Sequence, residues 1–107
     1  MISLLRFKAT TEKGEKGEHA YTRYLAKAMP AAEKVGARLV WYGEAREVFV
    51  GSPSDSYDRA LVVEYPSRAA FAEMFQNADY QASLGYRDEA IDKMVMLVST
   101  AIGGNEK

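Results

Sequence analysis

The chain has 107 residues, 48% of them hydrophobic and 27% charged, with a formal net charge of −1 and no cysteine. That length gives one domain, residues 1–107, able to bury roughly two-thirds of its unfolded surface. The missing cysteines exclude disulfides, thiolate chemistry and cysteine-based zinc sites, and they fit a reducing cytoplasm.

The 14 basic residues are scattered, which argues against a nucleic-acid surface, since that needs a clustered basic stripe. No apolar run approaches the ~20 residues of a membrane span. The opening MISLLRFK has too short an apolar run for a signal peptide, and its charges follow that run.

Ile2 to Ala9 reads as a first strand, with Ser3, Leu5, Phe7 on one face and Leu4, Arg6 on the other. Thr10 to Glu18 is a polar, glycine-containing loop. A helix is expected over His19 to Val35, its apolar face made by Tyr21, Tyr24, Leu25, Ala28, Met29, Ala32 and Val35. Pro30 should kink or break it, and Gly36 suits the position just past its end.

Arg38 to Val50 is strand-like, with Gly43 as a candidate bulge or bend, and Gly51 to Ser56 is a turn cluster. Ala60 to Tyr65 is apolar and β-branched enough for a central strand, and Pro66 ends it. Ser67 caps a helix carrying Phe71, Met74 and Phe75, and Asn77 caps a second one in which Tyr80, Leu84, Arg87 and Ile91 share a face. Met94 to Thr100 is the last strand, followed by a frayed tail.

This β-α-β-β-α-β order predicts an α+β, ferredoxin-like fold: a four-stranded antiparallel sheet in order 4-1-3-2 with the helices on one face. The strands are apolar on both parities, at Leu4 and Leu5, Leu39 and Val40, Val62 and Val63, Val95 and Met96. A sheet apolar on both faces needs a second cover, and the chain has no helix left to supply it. The expected partner is therefore a second copy of the chain, packed face to face.

The segments ISLLRFK, DRALVVEYPSRAAFAEM and NADYQASLGYR resemble the DUF1330 family over nearly the whole chain. The matching positions are Leu4 to Phe7, Asp58, Tyr65-Pro66-Ser67, Asp79-Tyr80-Gln81 and Arg87. Relatives often have Asn at Ser3, and Pro-Glu at Ala78-Asp79. The resemblance implies a dimeric α+β barrel, in a superfamily that includes cofactor-free monooxygenases, muconolactone-type isomerases and haem-dependent peroxidases. It fixes a fold and leaves the reaction open.

The candidate site residues are Arg6, Trp41, Asp58, Glu64, Tyr80 and Arg87. Arg6 and Glu64 should both face the open side of neighbouring strands, as a polar anchor in an apolar barrel cavity or as a structural ion pair. One of Trp41 and Tyr42 should line that same side. Asp58 and Arg87 should meet: ~23 Å of strand leads away from Asp58, and ~28 Å of helix, shortened by the break at Asn77, returns to Arg87.

His19 is the single histidine, too little for a metal site or a triad, and no metal or cofactor is expected. The functional expectation is a homodimer binding a small, mainly apolar molecule, with cofactor-independent monooxygenase- or isomerase-like catalysis as one outcome. The alternative is a non-catalytic binding or regulatory dimer.

Overall fold

The structure is a computed structural model and describes residues 1–100 and 102. The tail assigned from Ala101 onward lies, apart from Ile102, outside the described residues. The elements in order are β1 (Ile2–Phe7), α1 (Gly17–Lys34), β2 (Arg38–Glu44), a 3-10 turn at Pro53–Asp55, β3 (Arg59–Glu64), α2 (Arg68–Phe75), α3 (Ala78–Ala90) and β4 (Ile91–Leu97). The sheet is antiparallel with strand order β2-β3-β1-β4. This is the expected ferredoxin-like α+β topology, read from its other edge.

The capping residues act as their chemistry dictates. The Ser67 hydroxyl accepts the Ala70 N–H at 3.0 Å, and the Asn77 side-chain carbonyl accepts the Tyr80 N–H at 3.0 Å. These bonds satisfy amides that the first helical turn leaves without a partner, so the path from β3 to β4 is two helices rather than one. Gly36, at φ 87°, terminates α1. α1 runs unbroken across Pro30, where a break was an alternative expectation.

Strand bounds change at β1, which ends at Phe7 rather than Ala9, and at β2 and β4. β2 stops at Glu44 rather than Val50, and the last bond of the β2–β3 pair runs from the Ala45 N–H to the Asp58 carbonyl at 2.9 Å. Residues Val48 to Val50 therefore leave the sheet, and Phe49 is 95% exposed. The register shift in β2 falls between Leu39 and Trp41, not at Gly43. Gly43 has a different use: a Cβ there would collide with the Trp41 ring, so the missing side chain lets the indole lie across the strand. β4 starts at Ile91 rather than Met94, directly from the end of α3.

Between sheet and helices lies the core. Leu5, Leu61 and Val63 project from β1 and β3 against Ala20, Tyr21, Tyr24, Ala28, Ala32, Met74, Tyr80 and Ala90. Burying a residue such as Leu5, which is 0% exposed, stabilises the fold by about 1.5–3 kcal/mol. The opposite parity carries Ile2, Leu4, Trp41, Val62, Val95 and Leu97, and no helix covers it. On that face Trp41 and Leu97 are each 51% exposed.

Gly17 and Gly85 both sit in helices, in opposite situations. A Cβ on Gly17 would meet backbone, including the Ala90 carbonyl oxygen at 2.7 Å, whereas one on Gly85 meets nothing within 4 Å. Gly17→Ala is expected to destabilise the protein by about 1–3 kcal/mol through overpacking against immovable backbone. Gly85→Ala is expected to stabilise it by about 0.5–1 kcal/mol through helix propensity. Urea unfolding midpoints check both, and equal shifts of the same sign would contradict the packing at Gly17.

Candidate functional site

The six candidate residues fall into separate places. Register explains why Arg6 and Glu64 do not pair. Ile2 stands opposite Val62, so Arg6 is level with Asp58 while Glu64 lies past Met1, about 20 Å away along the strands. Arg6 instead pairs with Asp92 at 2.9 Å and Glu64 with Arg38 at 2.8 Å, both on the surface. Trp41 lies on the open face, whereas Tyr42 turns toward the helices.

Asp58 and Arg87 do not meet either. The Asp58 carboxylate accepts the Phe7 N–H at 2.8 Å, and its own N–H donates to the Leu5 carbonyl at 2.7 Å. It therefore extends the β1–β3 ladder by one step. Arg59, the next residue, takes the helix side, where its guanidinium donates to the Tyr42 hydroxyl at 2.8 Å and to Glu18 at 2.5 Å, above the Phe7 ring. Arg87 turns inward instead, its guanidinium 5.9 Å from the centre of the Tyr24 ring.

That inward turn places Arg87 beside Tyr80 on the wall of a cavity between the helices and the sheet. The cavity holds about 40 Å³. A void of that size accepts about three water molecules. All five methionines of the chain line it, as do Tyr21, Tyr24, Tyr65 and Tyr80 of its seven tyrosines, together with Ser3, Leu61, Val63 and Phe71. Methionine is unbranched and changes rotamer at low cost, so this lining can open around a guest larger than the resting void.

Burial controls the polar groups here. Tyr24 is 8% exposed and Tyr80 3%, and their hydroxyls are 3.5 Å apart. Burial pushes the Tyr24 phenol well above the ordinary tyrosine range, and the bond to Tyr80 adds to it. Burial raises Tyr21 likewise and pushes Tyr65 up to about 12. The Arg87 side chain is 22% exposed, and the carboxylate nearest to it, Asp88, is 4.0 Å away and open to solvent.

Sequence reasoning singled out Tyr80 and Arg87, which the fold brings to one cavity on the helix side of the sheet, whereas the cavity it expected lies on the open face. It did not single out Tyr24, Ser3 or the methionines as one group. Their common signal is strand parity: Ser3, Met94 and Met96 share the inward face of β1 and β4. His19 is exposed at the start of α1. Among the described residues no cluster of His, Cys, Asp and Glu could hold a metal ion, and no helix is long and apolar enough to cross a membrane.

The architecture and the helix–sheet cavity define a ferredoxin-like α+β protein. The chain belongs to the family described as "Domain of unknown function (DUF1330)", whose profile matches residues 15–101. No curated protein matches the chain. It is similar to the crystal structure of the methylated RPA0582 protein, with a TM-score of 0.89 and 25% identity, covering 97% of this chain and 81% of that one. A second similar structure is the RPA0582 protein of unknown function from Rhodopseudomonas palustris, with a TM-score of 0.84, 26% identity and coverage of 90% and 75%.

Two outcomes follow from the site. A phenol whose folded pKa lies above its unfolded value of about 10 favours the protonated, folded form. The contribution is complete below pH ~10 and is lost as pH rises through the folded values. Absorbance titration is expected to show Tyr21, Tyr24 and Tyr65 ionising only together with loss of near-UV circular dichroism; ionisation of all seven tyrosines in one early step would contradict their burial. Glu64→Ala is expected to shift stability by under about 1 kcal/mol, as for exposed ion pairs, and a loss several times larger would restore a buried partner for Glu64.

Proposed function

We propose that the protein is a homodimer, joined through the open faces of its sheets, in which each chain takes a small, mainly apolar molecule into its helix–sheet cavity. The observation that carries this reading is the cavity lining, where every methionine of the chain and four tyrosines surround one void beneath the helices. Dimerisation is supported by the uncovered parity of the sheet, with Trp41 and Leu97 half exposed. Apolar surface of that kind is stabilised by a second cover, and an identical sheet supplies a complementary one.

The polar lining favours binding over catalysis. Its polar side chains are four phenols, of which burial keeps Tyr21, Tyr24 and Tyr65 protonated, the Ser3 hydroxyl and one guanidinium, and no carboxylate or histidine is among the lining residues. General-base chemistry near neutral pH needs a group that titrates there. A non-catalytic binding or regulatory dimer is therefore the reading preferred over monooxygenase- or isomerase-like activity.

Light scattering at micromolar concentration is expected to give twice the 11.9 kDa chain mass for the parent protein and the single chain mass for Trp41→Asp. A monomeric parent protein would overturn the dimer. With ¹³C-methyl methionine labelling, benzyl alcohol is expected to shift the Met74 and Met94 methyl signals, which line the void. Methyl signals that stay fixed would overturn the cavity as a binding site.

A further inference from the structure

We infer that the molecule bound in the helix–sheet cavity is a small organic acid, its carboxylate received by Arg87 with the Tyr24–Tyr80 hydroxyl pair, and its apolar body lodged among the methionines. The inference rests on the cavity being a binding site, as proposed above, and it names the chemistry of the guest.

The argument is a count of donors and acceptors. A guanidinium carries five N–H donors and no acceptor. None of the Arg87 donors makes a hydrogen bond to a described residue, and its approach to Asp88 is 4.0 Å, beyond hydrogen-bond length. Arg87 nevertheless has its guanidinium turned onto Tyr24, with a side chain only 22% exposed. Its unpaired nitrogens still reach water, since among the described residues no buried side-chain nitrogen or oxygen lacks a partner, and an anion with hydrogen-bonding oxygens would replace that water with stronger, charge-assisted bonds.

The hydroxyls point to the same guest. Tyr24 and Tyr80 share one contact of 3.5 Å, so of their two protons one has no acceptor within the pair. Ser3, 5% exposed on the same wall, adds a further hydroxyl. The wall is therefore rich in donors, and no carboxylate lines it. A carboxylate answers this arrangement, because its two oxygens accept in parallel from a guanidinium fork and have lone pairs left for a phenol. A neutral apolar guest would leave the donors idle.

The rest of the lining limits the body of the acid. The void of about 40 Å³ accommodates a carboxyl group as it stands, and the lining methionines are the side chains best able to turn and admit more. Tyr21, Tyr65 and Phe71 offer ring faces and edges to a compact aromatic or branched body.

Benzoate and benzyl alcohol, alike in ring and different in charge, test the inference by titration at low ionic strength with methionine methyl shifts as the readout. Wild type is expected to bind benzoate more tightly than benzyl alcohol, by about tenfold to a hundredfold, the range for hydrogen bonds to a charged group. Arg87→Gln is expected to abolish that preference while changing benzyl alcohol affinity by less than about twofold. Arg87→Lys keeps the charge without the fork and is expected to fall between the two, so it decides the matter should the glutamine variant fail to fold. Tyr80→Phe is expected to weaken benzoate alone.

Equal binding of the two probes by wild type, or a preference that survives Arg87→Gln, would overturn the acid while leaving the cavity intact. Methyl signals unmoved by either probe would overturn the cavity reading and the inference with it.

Discussion

The backbone junction at Lys8 fixes everything else. Its N–H donates to the Ala90 carbonyl at 2.8 Å, and its carbonyl accepts the Gly17 N–H at 3.0 Å. The end of the first strand, the first turn of α1 and the last turn of α3 are thus held in one place by main-chain groups. Such bonds leave little freedom, because each buried amide and carbonyl must keep a partner. Gly17 is the residue type the junction demands, since a side chain would collide with the two carbonyls. Tyr21 and Tyr24 follow within two turns along α1, and Arg87 lies one turn back from Ala90 on α3. The junction therefore sets Arg87 relative to Tyr21 and Tyr24, and the approach of the guanidinium to the Tyr24 ring and the Tyr24–Tyr80 hydroxyl contact complete the arrangement.

The two faces of the sheet divide the work. The inward face meets helices rich in alanine, whose small side chains let α1 approach the strands closely while the tyrosines reach past them. The outward face is also apolar, and among the described residues no α-helix covers it; the segment from Ala45 to Tyr57 reaches only its Leu4–Lys93 end. Trp41 lies flat there because Gly43, two residues on, gives it room. An indole laid across a strand presents a broad ring face to whatever covers the sheet, which suits the extended, self-complementary contact of a two-fold dimer.

The sequence was most informative where local chemistry decides. Ser67 and Asn77 each carry an oxygen that only a helix start uses in that way, and Pro66 cannot continue a ladder, so the β3–α2–α3 unit was readable in detail. Parity along β1 and β3 was equally readable, because alternation is enforced residue by residue. Register was not. Whether Arg6 stands level with Glu64 or with Asp58 depends on where β1 and β3 first engage, and Met1 settles that by exchanging both of its main-chain bonds with Val63. The same limit misplaced the Asp58–Arg87 meeting. Path lengths along strand and helix did bring the two chain positions toward one end, but side-chain direction is set by parity, and Arg59 rather than Asp58 faces the helices. The end of β2 was hidden because Val48, Phe49 and Val50 carry strand-like side chains, although the pairing with β3 makes its last bond at the Ala45 N–H.

Trp41 is the single tryptophan of the chain, and half of its surface is open to water on the uncovered face. Its fluorescence therefore reads one location. Emission from an indole in water lies at long wavelength and moves to shorter wavelength when the ring is enclosed, so the colour of this protein's emission is a gauge of whether its sheet face is wet or covered. No label is needed. The residue that would anchor assembly is also the one that makes assembly visible, at concentrations too low for methods that weigh the particle.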